Sequence, residues 1–137
     1  MKIKNVMIAG GGTLGSQIAW QTAFHGFNVT VYDAFDKGVE ASKNFHKQFA
    51  DLFLNQRGAS KEDVDAALAR ISYSTNLVEA VKDVDIISES VPESVEIKTS
   101  FYTELFKYLL PGFSRGTPFL QRGHSSGSYT GKSIFSR

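Results

Sequence analysis

The sequence is 137 residues long, carries a formal net charge of +1 and contains no cysteine. That length suits one globular domain, and the missing thiols exclude disulfides, a cysteine nucleophile and cysteine-ligated metals. Its 42% hydrophobic content is that of a soluble core, which points to a cytoplasmic protein with no membrane partner. The small net charge hides an asymmetry: 14 acids face 10 Lys and Arg through Glu104, whereas Lys107, Arg115, Arg122, Lys132 and Arg137 follow with no acid. Cations so sparse, without interleaved aromatics, do not make a nucleic-acid surface.

The chain opens with an apolar run, about Ile3 to Ala9, of the kind buried on both faces of a parallel sheet. It is too short for the core of a signal peptide, and glycines end it. Gly10, Gly11, Gly12, Thr13, Leu14 and Gly15 follow in a G-x-G-x-x-G pattern. Gly10 permits a tight turn, Gly12 lets the backbone approach a pyrophosphate, and Gly15 lets the next helix pack on the strand. The opening amides of that helix, about Thr13 to His25, would face the anion. Asn28 to Tyr32 reads as a second strand ending in Asp33, which lies 18 residues past Gly15. That is near the distance at which an acid meets an adenosine ribose hydroxyl. This is the pattern of a dinucleotide site. Asp33, with no arginine between Ala34 and Lys37 to neutralise a 2′-phosphate, predicts NAD over NADP, although Lys37 could serve in part.

Asp36 to Asn55 and Ser60 to Arg70 predict two helices, broken at Gln56-Arg57-Gly58. This hairpin, about 36–70, is longer than a simple crossover requires. It could carry specificity or serve as a packing or dimerisation arm. Ile71 to Ser74 is a weak third strand, and Asn76 and Glu79 occupy capping-box positions of a short helix. Val84 to Val91 is the fourth strand, closed by Pro92, and Ser94 to Leu110 returns to helical spacing before Pro111-Gly112. The expected fold is α/β, a Rossmann-type doubly wound parallel sheet over residues 1–112.

By the fourth strand the chain resembles the NAD-binding domain of the 3-hydroxyacyl-CoA dehydrogenase family. The resemblance rests on Ile8 to Ala19, Val31-Tyr32-Asp33, Val84 to Glu93, Glu96-Ile97-Lys98 and Tyr102 to Phe106. It implies hydride exchange between NAD and the 3-hydroxyl carbon of an acyl-CoA, with a homodimeric parent enzyme. It also implies that the hairpin helps hold the coenzyme A moiety. Glu93 and Lys98 would line the nicotinamide and its ribose, with a solvated residue at a helix start as the lesser alternative for Glu93.

After Leu110 the resemblance stops. The family's active-site segment, its catalytic histidine with an orienting glutamate and its helical dimerisation domain are not recognisable. Residues 113–137 contain six serines, four glycines and no acid, and read as a disordered or non-native tail after a truncation. His124 and Ser125 lack the spacing and the orienting acid that a nucleophile needs. His25, His46 and His124 show no metal-ligand spacing. No catalytic residue and no metal ligand is therefore assigned. The sheet is expected to be incomplete on its C-terminal side, leaving the fourth strand at an edge and prone to self-association unless Thr117 to Leu120 pairs there. A non-catalytic nucleotide-binding module, or the cofactor domain of another 3-hydroxyacid dehydrogenase, is the alternative reading.

Overall fold

The computed structural model describes residues 2–91, 94–109 and 119–122. The elements are β1 (Asn5–Ala9), α1 (Thr13–Phe24), β2 (Asn28–Tyr32), α2 (Asp36–Gln56), α3 (Lys61–Ala69), β3 (Ile71–Ser74), α4 (Leu77–Ala80), β4 (Ile86–Glu89), α5 (Val95–Leu109) and β5 (Phe119–Arg122). The strands form one sheet in the order β3-β2-β1-β4-β5, with every pairing parallel. Among the described residues no helix is long and apolar enough to cross a membrane.

Strand β1 sits at the centre, and its alternation explains the two-sided burial. Val6 and Ile8 enter a core with α1, α2 and α3, while Met7 and Ala9 enter another with α4 and α5. A strand sandwiched between two helical layers must be apolar wherever it is buried, as this one is from Val6 to Ala9. Asp85 fastens its start: one carboxylate oxygen accepts from the amides of Lys4 and Asn5, each at 2.9 Å. Those two bonds hold the Asp85 carboxyl below the usual carboxylate range.

Helix α1 ends where Gly26 N–H bonds the Ala23 carbonyl at 3.0 Å and Phe27 N–H bonds that of Thr22 at 3.3 Å. This paired closure satisfies two carbonyls that the last turn leaves open. Ser60 accepts from Asp63 N–H at 3.1 Å and so caps α3, and the predicted Asn76 cap forms, accepting from Glu79 N–H at 3.2 Å.

The hairpin of α2 and α3 lies on α1. Trp20, 1% exposed, meets the Phe53 ring edge-on at 5.3 Å, and Phe24 meets Phe53 at 4.9 Å. Ala50, Val64 and Ala67 complete that side. A packing role is thus visible for the hairpin.

One expectation is corrected. Strand four is not an edge, because Phe119–Arg122 pairs along it from Ile86↔Phe119 to Glu89↔Arg122. Four residues suffice, since β4 itself is only four residues long and offers no more ladder to fill. The rest of the 113–137 stretch, His124 included, lies outside the described residues.

Candidate functional site

Strand β2 lies on one side of β1 and β4 on the other, so the chain reverses its direction of travel across the sheet at β1. Such a switch point opens a crevice at the carboxyl ends of the strands. Three backbone bonds line those ends up: Gly10 N–H to Tyr32 O at 2.7 Å, Ser90 N–H to Ala9 O at 2.7 Å, and Asp33 N–H to Ser74 O at 3.1 Å. The crevice above them is a cleft of about 670 Å³, within the usual range for ligand sites. Gly10, Gly12, Thr13, Leu14, Gly15 and Asp33 line it from the predicted set, joined by Phe35, Lys37, Gly38, Ala41, Ser90, Val91 and Ile97.

The glycines occupy the positions their spacing predicts. Gly10 has φ 116°, and a Cβ there would lie 2.5 Å from the Ser90 carbonyl oxygen, so only glycine fits the turn. A Cβ on Gly15 would collide with the Gly10 carbonyl oxygen, which makes it the helix–strand contact. A Cβ on Gly12 would meet nothing within 4 Å, leaving its backbone open to the cleft. Gly11 turns inward instead, and its amide donates to Asp33 Oδ2 at 2.9 Å.

Asp33 therefore has an anchored carboxylate, Oδ1 accepting from Phe35 N–H at 2.9 Å. It abuts the first turn of α2 at Gly38, where any Cβ would overlap the carboxylate. Gly38 went unassigned in the sequence. Its signal is a glycine inside a helical stretch, which costs helix stability and marks a close backbone approach.

Lys98 is not on the cleft wall. Its ammonium lies 3.7 Å from Glu89 Oε1, with side chains 16% and 1% exposed. Glu89 also accepts from Val91 N–H at 3.1 Å and from the Tyr102 hydroxyl at 3.1 Å. An acid inside an otherwise apolar strand announces such partners, because charged groups are rarely buried unless paired. Glu93 lies outside the described residues.

The model of the 3-hydroxyacyl-CoA dehydrogenase NAD binding domain matches residues 5–112. The chain belongs to this family.

Within the 3-hydroxyacyl-CoA dehydrogenases, the chain is 35% identical over 107 residues to a Caenorhabditis elegans protein named a probable 3-hydroxyacyl-CoA dehydrogenase, covering 75% of this chain and 36% of that protein. It is 36% identical over 113 residues to one named a probable 3-hydroxybutyryl-CoA dehydrogenase in Bacillus subtilis, covering 81% of this chain and 38% of that protein. A solved diketoreductase superposes with a TM-score of 0.77 at 38% identity, covering 89% of this chain and 42% of that one. The chain thus spans about two fifths of the length of these relatives.

Two observations show that this NAD-binding domain has room and polarity for a dinucleotide. Gly12 leaves an open cradle at the helix start, where amides attract a phosphate. On the facing wall the Ser90 hydroxyl is buried with no hydrogen-bond partner among the described residues. A native orphan of this kind calls for a missing ligand or water.

Proposed function

We propose that this chain supplies the cofactor half of an oxidoreductase that exchanges hydride between NAD and the 3-hydroxyl carbon of an acyl-CoA. The observation that carries the reading is the anchored Asp33 carboxylate beside the open Gly12 backbone, on one cleft at the carboxyl ends of the strands. Asp33 would accept from the adenosine ribose hydroxyls while keeping the Gly11 amide. The Gly10–Gly15 turn and the first amides of α1 would bind the pyrophosphate. Glu93 and Lys98 are the residues proposed for the nicotinamide end, and Lys98 stands back from the cleft wall, held by Glu89. Bound NAD would supply the hydride acceptor, and the protein orients it and excludes water.

The acyl-CoA substrate and a place in fatty acid metabolism are supported by the names of the relatives, whereas the dimeric parent enzyme rests on the family resemblance alone. The cytoplasmic reading rests on composition. Division into a domain over 1–112 and a separate tail follows the extent of the family match.

Titration of the purified chain with NAD and NADP tests the cofactor reading. NAD should bind the more tightly, because a 2′-phosphate would be forced against the Asp33 carboxylate. Tighter NADP binding would sink it. The chain alone should not oxidise 3-hydroxyacyl-CoA, since no assigned residue serves as a general base. Turnover restored by adding a catalytic domain would separate this reading from a module that never did chemistry.

A further inference from the structure

Beneath the glycine turn lies a buried polar chain that cofactor binding does not use. His46, in the middle of α2, is 1% exposed. Its Nε2 lies 2.9 Å from the Ser16 carbonyl oxygen, and its Nδ1 lies 2.5 Å from the Tyr73 hydroxyl on β3. A carbonyl can only accept, so Nε2 carries the proton and Nδ1 accepts from the phenol. One turn back, the Ser42 hydroxyl is 2.9 Å from the Ser16 hydroxyl, which donates to the Gly11 carbonyl at 3.2 Å. The neutral imidazole thus ties α2 to the first turn of α1, and the serine pair beside it carries the tie on to Gly11, whose next residue, Gly12, opens onto the cleft. The same helix lends Lys37, Gly38 and Ala41 to the cleft wall, so its seating on α1 sets the shape of the site.

We infer that His46 is a positioning residue for the dinucleotide turn, and that its protonation unseats α2 and weakens NAD binding. This rests on reading the cleft as the NAD site. The groups packed on the ring explain the direction. From α1 it meets the Ser16 carbonyl and the apolar face of Trp20, and from β3 the Tyr73 phenol. On its own helix, Lys43 stands over the Tyr73 ring at 5.5 Å. No carboxylate is among these partners, and the nearby charge has the same sign as an imidazolium. A second proton would also turn Nδ1 into a donor, so the Tyr73 hydroxyl would have to accept and turn its own proton elsewhere. Burial accordingly holds the imidazole below the ordinary histidine range. An unpaired buried cation is relieved most cheaply by separating the elements that enclose it.

The test follows the His46 ring and the Gly11 and Gly12 amides by NMR across pH 5–8 (roughly one to two units about the ordinary histidine midpoint), in the wild type and in His46→Gln. A carboxamide can donate to Ser16 and accept from Tyr73 without titrating. NAD affinity is measured over the same range. The wild type should lose about tenfold in affinity as His46 protonates, within the usual range of coupling between linked sites. Reciprocally, NAD should lower the His46 midpoint by about one pH unit. The folded Gln variant should bind NAD with a flat profile. Identical profiles in both proteins, or a His46 midpoint indifferent to NAD, would overturn the inference. The midpoint measurement needs no variant, so a Gln protein that does not fold leaves the test intact. If neither protein binds NAD, the cofactor reading fails. The amides then decide the coupling alone: supported if they follow the ring only in the wild type, and overturned if they do not.

Discussion

The backbone of Gly38 and the carboxylate of Asp33 are packed so closely that no side chain fits between them. The first turn of α2 therefore forms the floor under the acid that ends β2. Replacing an interior helix glycine by alanine ordinarily stabilises by about 0.5–1 kcal/mol. Here the sign should reverse, because the methyl group must displace either Asp33 or the helix start. Gly38→Ala is expected to lower the thermal midpoint and to weaken NAD binding together. A stabilised variant with unchanged affinity would show that the contact yields freely.

Asp33→Ala removes the predicted ribose contact and also frees the Gly11 amide that Oδ2 holds. A loss of about 1–3 kcal/mol in NAD affinity is expected, the usual cost of deleting a hydrogen bond to a charged group. Calorimetric titration checks it. An unchanged affinity would place the adenosine elsewhere.

Acid and alkali should each destabilise the domain through one buried pair. His46 ionises below its unfolded value of 6.5. As pH falls below that value the unfolded chain binds a proton that the folded one resists, so stability declines. Tyr73 is pushed up to about 12 from 10.0 by burial. Between those values the unfolded chain loses the proton first, so stability declines again as pH rises. Urea unfolding from pH 5 to 11 should give a plateau between these limits (roughly one unit beyond the ordinary histidine and tyrosine midpoints at either end). His46→Gln should flatten the acid side near pH 6 (about the ordinary histidine value), and Tyr73→Phe the alkaline side. Unaltered limbs would assign the pH dependence to other groups.

Trp20 is the largest fully buried side chain and touches Phe24, Phe49 and Phe53. Trp20→Ala should cost about 3–5 kcal/mol. That is a large share of the roughly 5–15 kcal/mol that holds a typical domain together. Chemical denaturation measures it, and a cost below 1 kcal/mol (about the scale of a surface change) would mean that the hairpin does not depend on α1.

Because β5 pairs with β4, association through β4 should appear only when that cover is removed. A chain ending at residue 118 should sediment with a stronger concentration dependence than the whole protein. Equal behaviour would show that β5 does not guard the edge.

The glycine turn, Asp33 and the first four strands were legible in the sequence because each is encoded locally, by spacing or by an apolar run. Gly38, Ser90 and Glu89 were not assigned, since their roles depend on contacts across the fold. Gly38 matters only because α2 returns to β2, and Ser90 only because β4 stands beside β1. The hairpin could be read as two helices, yet its seat on α1 depends on Trp20 meeting Phe53, a contact that periodicity does not encode. Strand β5 could be read only as a conditional partner for β4, over Thr117 to Leu120 and so two residues early, for a related reason. Phe-Leu-Gln-Arg is too short to show an alternation, and it is a strand only by virtue of the ladder that β4 offers it.

The central place of β1 also bears on how the chain is made. Met7 pairs with Thr30 on one side and with Ile87 on the other. The ribosome delivers the first partner early and the second much later, with the hairpin in between. At the usual speed of synthesis, on the order of ten residues per second, that interval lasts several seconds. Throughout it, one flank of the nascent sheet stays open and greasy. The strand that organises the finished domain is thus one that waits longest for its second neighbour.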